Sequence, residues 1–353
     1  MKEQSAKKWF FKCLLSLAAC LFLVATVVII IDPYFHYHKP LSFLSYRLYE
    51  ERYINDGINR HFDYDAIITG TSMSQNFSPG EFDALFGTHS IKQPFPGAGY
   101  QEIMENLDRA LSRNDSIGTV LWTLDYNGLL RAPDWEQYEG YPAYLYDENP
   151  FNDVSYLFNK SILYHGMMPV LSMTLSGSDS TTMDEYSSWE RKCGLNAILG
   201  AYDRDSLVPA ADDAYTKADE ENVKKTIQDN YIRLINQHPD VTFYIFYSPY
   251  SICYWDAMML EKNFEKQLAA EQTATELLLQ CPNVKLYNFF DQYEIICNLE
   301  NYSDPMHYRS EINSQILHWI SEDVGLVTKE NYMEILSKEY AFYSTYDYDS
   351  IYK

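Results

Sequence analysis

The chain has 353 residues and carries 50 acidic side chains against 27 basic ones, a formal net charge of −23. That excess excludes a nucleic-acid binder working by bulk electrostatics, and the simplest reading of it is solubility at a surface. The length suffices to bury a core without disulfide staples.

The N-terminus predicts a membrane anchor. Cys13 to Ile31 are 19 uncharged residues, about 28 Å of helix at ~1.5 Å per residue, close to the hydrocarbon thickness of a bilayer. Lys2, Lys7, Lys8 and Lys12 precede the run, Trp9 to Phe11 approach it, and Asp32 follows. The positive-inside rule then keeps residues 1–8 cytoplasmic, places 9–31 in a single-pass helix and puts the rest outside the cell. Leu17-Ala18-Ala19-Cys20 has the form of a lipoprotein cleavage box, but it sits in the middle of the apolar run. Beyond residue 12 there are 23 basic and 49 acidic side chains, so the external part alone has a net charge of −26.

Residues 32–60 read as a juxtamembrane segment, in which His36 and His38 have no ligand cluster around them to suggest a metal. From there short apolar runs alternate with amphipathic ones. Tyr64 to Thr69 predicts a buried strand, His89 to Lys92 a second, and Gln101 to Arg113 a helix with Ile103, Met104, Leu107 and Leu111 inward. Thr119 to Leu124 predicts a third strand.

Residues 128–215, rich in Tyr, Pro, Asp and Ser, break the rhythm and read as an insertion, either a lid over the site or a packed decoration. Helix Lys217–Gln237, strand Val241–Tyr247, one long helix Ala257–Gln280, a final strand Val284–Phe290 and a helix Ile312–Ile320 complete the pattern. The Tyr-rich tail 327–353 looks least structured. Strands alternating with helices predict an α/β domain over 61–326, a three-layer α/β/α sandwich around a mostly parallel sheet. Cys193, Cys253, Cys281 and Cys297 lie outside the anchor without a CxxC, and leave pairing open.

Parallel sheets carry their sites at the carboxyl ends of strands. The first strand runs into Gly70-Thr71-Ser72-Met73-Ser74, which sets a serine hydroxyl on that edge. After the last strand comes Asp304-Pro305-Met306-His307, whose spacing lets Asp304 orient the imidazole and His307 accept a serine proton. The same residues also suit a helix cap, Asp304 followed by proline at the first position.

A serine after strand one and Asp-x-x-His after the last strand resemble the SGNH (GDSL-like) hydrolases over roughly residues 62 to 322. The resemblance implies a flavodoxin-like sheet, with Ser72 as nucleophile, His307 as general base and Asp304 as its partner. It implies an oxyanion hole from the N–H of Ser72 or Met73, from Gly97 in Pro96-Gly97-Ala98-Gly99, and from Asn127. Thr71 departs from the family's usual acidic residue, and Leu124-Asp125-Tyr126-Asn127 lacks its Gly-x-Asn-Asp form, so Asp125 competes with Asn127 for the third position.

The layout is similar to the membrane-anchored branch that modifies teichoic acids with D-alanine or transfers and removes acetyl groups on exopolysaccharides. That similarity implies a cell-envelope esterase or O-acyltransferase needing no cofactor, a surface polysaccharide or teichoic-acid-like substrate and, for a transferase, a membrane-bound acyl-donor partner. The rival reading is a non-catalytic surface protein that keeps the fold and binds polymer or a membrane partner.

Overall fold

A computed structural model describes residues 2–138, 142–209 and 214–352. The ends at 1 and 353, and the parts of the 128–215 segment at 139–141 and 210–213, lie outside them. The backbone divides into two compact units, Met1–Phe62 with Gly140–Thr182, and Asp63–Glu139 with Met183–Lys353. The interruption seen in the sequence therefore does not form one piece. Its middle belongs with the N-terminal unit, its two ends with the second.

The first unit opens with a helix Lys2–Ile31, whose stretch Ala6–Ile31 has a mean hydropathy of 3.0 and is long and apolar enough to cross a membrane. Its side chains are mainly exposed, Trp9, Leu15 and Phe22 among them, as a lipid-facing surface requires. Where it ends, Asp32 is fully buried. Its carboxylate accepts the backbone N–H groups of His36, Tyr37 and His38 and the Tyr156 hydroxyl. Residues 32–38 thus form a tight turn folded on a carboxylate, and the chain continues to a helix Glu51–His61.

The second unit is α/β. Its sheet has six strands in the order β2-β1-β3-β4-β5-β6, formed by β1 (Ala66–Gly70), β2 (Ser90–Pro94), β3 (Thr119–Leu124), β4 (Thr242–Tyr247), β5 (Val284–Asn288) and β6 (Leu326–Val327). The first five pair in parallel. β6 pairs antiparallel to β5, so the sheet is mixed and β5 is not the last strand. Ile67, Ile68, Val120, Leu121, Trp122, Phe243, Ile245, Phe246 and Leu286 are completely buried. At roughly 1.5–3 kcal/mol for each large apolar side chain they make the sheet the main source of stability.

Helix Tyr100–Arg113 buries Ile103, Met104, Leu107 and Leu111 as its periodicity predicts. Helix Pro79–Phe86, which the sequence reading did not single out, is set by its ends: the Ser78 hydroxyl accepts the Glu81 N–H, proline takes the first turn and Gly87 closes it. Lys217–Gln237 is helical throughout, with a π-helical stretch at Gln228–Ile232.

Two expectations need correction. The long helix at 257–280 is two helices, Ile252–Leu260 and Phe264–Leu278, broken where Lys262 takes a left-handed φ of 55°. The tail contains a regular helix, Tyr332–Thr345, whose Tyr343 stacks on Trp255 at 4.1 Å between centroids.

That terminal helix is also held by acid. Glu339 is completely buried, and Asn288 Nδ2 donates to Glu271 Oε1 at 2.7 Å and to Glu339 Oε2 at 3.2 Å. Burial pushes both carboxyls up, and the charge of Glu339 and its hydrogen bond push Glu271 further. A carboxyl raised by folding contributes stability that is complete below the unfolded value and declines as pH rises towards the folded one.

Glu339→Gln removes one of the two acids while keeping the bonding. From about pH 5 upward wild-type stability should fall by up to about 1.4 kcal/mol per pH unit for each proton kept only by the folded chain. The variant should fall less steeply and unfold at a higher temperature at pH 8. Parallel pH–melting curves for the two proteins would show that folding does not raise these carboxyls.

Candidate active site

β1 lies between β2 and β3, so the chain leaves its carboxyl end towards one side and returns to β3 on the other. That opens a crevice at the edge where β1 and β3 end. Gly70 makes the exit possible: its φ is +147°, and a Cβ there would lie 1.9 Å from Thr123 Oγ1. The chain then turns into a single 3₁₀ turn, Ser72–Ser74. Ser74 Oγ donates to Thr71 O, and Asn313 Nδ2 donates to Met73 O, which pins the turn.

On the far side of the crevice, the loop after β5 is closed by a bridge between Tyr302 and Tyr308. Ser251 fastens it to the end of β4 through its N–H and hydroxyl, both donated to Pro305 O, and Tyr302 donates its hydroxyl to Pro249 O. Asp304 does not cap a helix. Its Oδ1 accepts the backbone N–H groups of Met306 and His307, which folds Asp304–His307 into a turn three residues before helix Ser310–Ser321 begins.

This turn brings Ser72, His307 and Asp304 together. Ser72 Oγ is 2.7 Å from His307 Nε2, and His307 Nδ1 is 2.9 and 2.8 Å from the two Asp304 oxygens. An ionised carboxylate only accepts, so Nδ1 carries the proton and Nε2 is left to accept from Ser72. Burial alone would raise the Asp304 carboxyl; hydrogen bonds and charge from His307, with the two backbone N–H groups, outweigh it and hold it below the ordinary value.

The three oxyanion candidates fare differently. Gly97 lines the same cavity as Ser72, in a left-handed turn with φ +69°. Among the described residues neither its backbone N–H nor that of Ser72 has a hydrogen-bond partner. The Met73 N–H is 3.4 Å from Thr71 Oγ1, because Thr71 caps the 3₁₀ turn, so of the two loop donors it is the Ser72 N–H that has no partner among the described residues. Asn127 lines the cavity with an exposed side chain, but its Nδ2 points to Met306 Sδ at 3.6 Å.

Asp125 lies under the nucleophile loop, almost fully buried. It accepts from Thr71 Oγ1 at 2.5 Å, Tyr250 at 2.9 Å and Ser248 at 3.3 Å, and Tyr100 donates to its backbone carbonyl. Desolvation raises this carboxyl despite those bonds. Asp125 thereby orients the Thr71 hydroxyl, and Thr71 in turn caps the turn that carries Ser72.

The cavity beside Ser72 measures about 330 Å³. Around it stand residues that sequence reasoning did not single out. Trp189 meets the His307 ring edge-on at 5.8 Å between centroids. Gln75 and Asn76 hold it, Gln75 Oε1 accepting the indole N–H and Asn76 Oδ1 the backbone N–H, both at 2.9 Å. From the early part of the interrupting segment come Arg131, Trp135, Gln137 and Tyr138. The aromatic, polar mixture of 128–138 was the only signal of this wall, and it could not be placed without the fold.

No protein-family model matches the chain, and none of the curated proteins matches it either.

Proposed function

We propose that the protein is a serine esterase or O-acyltransferase of SGNH type, acting at the cell envelope on ester-linked acyl groups of a surface glycopolymer. The observation that carries this reading is the continuous chain from Ser72 through His307 to Asp304, set beside a cavity at the carboxyl edge of a parallel sheet. Ser72 attacks the ester carbonyl while Nε2 takes its proton. The oxyanion is received by the Ser72 and Gly97 N–H groups, and the alcohol leaves with the proton from His307. Water then resolves the acyl-serine in a hydrolase, and a sugar or polyol hydroxyl does so in a transferase.

The strand order of the first five strands, 2-1-3-4-5, is the flavodoxin-like order, which supports a sheet covered on both faces as a three-layer sandwich. The apolar helix Lys2–Ile31 supports a single-pass anchor, with lysines on the cytoplasmic side and the α/β unit outside. In that compartment a transferase needs a membrane-bound partner to deliver its acyl donor, and a hydrolase does not.

The test is labelling of the full-length protein, purified in detergent, with a fluorophosphonate probe. Wild type should label and Ser72→Ala should not. No Ser72-dependent labelling, together with no turnover of simple acetyl esters, would move the reading to a non-catalytic polymer-binding protein.

A further inference from the structure

We propose that Arg131 and Arg191 form an anion-binding subsite in the Ser72 cavity, so that the substrate carries a carboxylate or phosphate close to its ester. Only the word ester rests on the esterase reading; the subsite stands on the two arginines themselves.

The chain has nearly twice as many acidic as basic side chains. Yet two guanidinium groups line this one cavity, where Asp125 is the sole carboxylate among the described lining residues. Asp125 is already saturated by three hydroxyls. Each arginine lies over an indole, Arg131 Cζ at 3.6 Å from the Trp135 ring centre and Arg191 Cζ at 4.4 Å from that of Trp189. Stacking fixes the plane of a guanidinium and leaves its edge to present paired N–H donors, the geometry that suits carboxylate and phosphate oxygens.

The internal bonds leave those edges open. Arg131 spends only Nε, on Asn127 O at 3.1 Å, and among the described residues it has no carboxylate partner. Arg191 donates Nη1 to Asp304 Oδ2 at 3.3 Å, longer than either Asp304–His307 contact, and its side chain is 45% exposed. An unpaired cation beside a cavity in an acidic protein is a fixed attraction for an incoming anion. For Arg191 the anion would also compete with Asp304, leaving that carboxylate to His307 alone.

The experiment uses full-length Ser72→Ala in detergent, titrated calorimetrically at low salt with three probes: methyl glucuronide, glycerol 3-phosphate and neutral methyl glucoside. At least one anion should bind about tenfold or more tighter than the glucoside, the size expected of charge-assisted hydrogen bonds. Arg131→Ala/Arg191→Ala added to that background should remove the preference, with unchanged melting as the control for folding. Which anion wins separates carboxylate from phosphate.

Equal binding of all three probes, no binding of either anion at millimolar concentration, or a preference that survives the double substitution each overturns the subsite. Fluorophosphonate labelling of the wild type is read separately. Anion preference without labelling sinks the esterase reading and keeps the subsite; labelling without preference does the reverse.

Discussion

Ser72→Ala should lower the turnover of 4-nitrophenyl acetate by a factor on the order of 10⁴ to 10⁶, leaving only what the oxyanion donors and binding supply. The expectation follows from the 2.7 Å contact between Ser72 Oγ and His307 Nε2, which removes the serine proton as the bond to carbon forms. His307→Ala should lose a similar factor, and the double variant should be no worse than either, because the two groups act as one unit. Asp304→Asn tests the third member differently. Asp304 Oδ1 is anchored by the N–H groups of Met306 and His307, so an amide would keep its oxygen there and turn its NH₂ towards Nδ1. That forces the proton onto Nε2, facing Ser72 with a donor where an acceptor is needed, and the cost should be about 10⁴-fold. Activity in Ser72→Ala within tenfold of wild type, measured on the detergent-purified full chain, would sink the nucleophile assignment.

Ser72 was legible because it stands two residues past the end of a strand-forming run, and Asp304 and His307 because they share the connection that follows β5; the parallel topology sends both to one edge. The strands themselves were legible because runs such as Ala66-Ile67-Ile68 and Val120-Leu121-Trp122 are buried on both faces, and their apolar character is continuous. What escaped has physical reasons too. The break at Lys262 has no glycine or proline to announce it, and a left-handed lysine leaves no mark in composition. The terminal helix hid because one of its buried residues is Glu339, a residue type that reads as a surface one. β6 has only two residues, and nothing local specifies its pairing. Asp125 read as a rival for the oxyanion position; its actual partners are Thr71 after β1 and Ser248 and Tyr250 after β4, and only the sheet order brings them to the end of β3. The same holds for Trp189 and Arg191, more than a hundred residues from the serine in sequence, the first against the His307 ring and the second on the cavity wall.

Lys92→Met should be among the most destabilising substitutions in the α/β unit. Lys92 occupies the middle of β2 and is completely buried. Its Nζ donates to Gln75 O at 2.6 Å, Phe77 O at 3.0 Å, Asp184 O at 3.2 Å and Ser188 Oγ at 2.9 Å. A methionine of similar length fills the volume but donates nothing: Phe77 O loses its donor and Gln75 O and Asp184 O are left with the Ser188 hydroxyl alone, at roughly 1–3 kcal/mol for each buried carbonyl left dry. The sum is several kcal/mol, and at about 2–4 °C per kcal/mol for a unit of this size the melting temperature should drop by about 10 °C. The loss should also reach the site. The oxygens that Lys92 gathers belong to the Gln75–Phe77 loop after the serine and to the 184–188 segment, and Gln75 Nε2 donates to Ser187 Oγ while Gln75 Oε1 takes the Trp189 indole N–H. Releasing that clamp frees Trp189 from the His307 ring and Arg191 from the cavity wall. Thermal unfolding with limited proteolysis around 184–191 measures both effects. A melting temperature equal to that of wild type would show that the four oxygens find other donors and that the clamp is not what holds this wall in place.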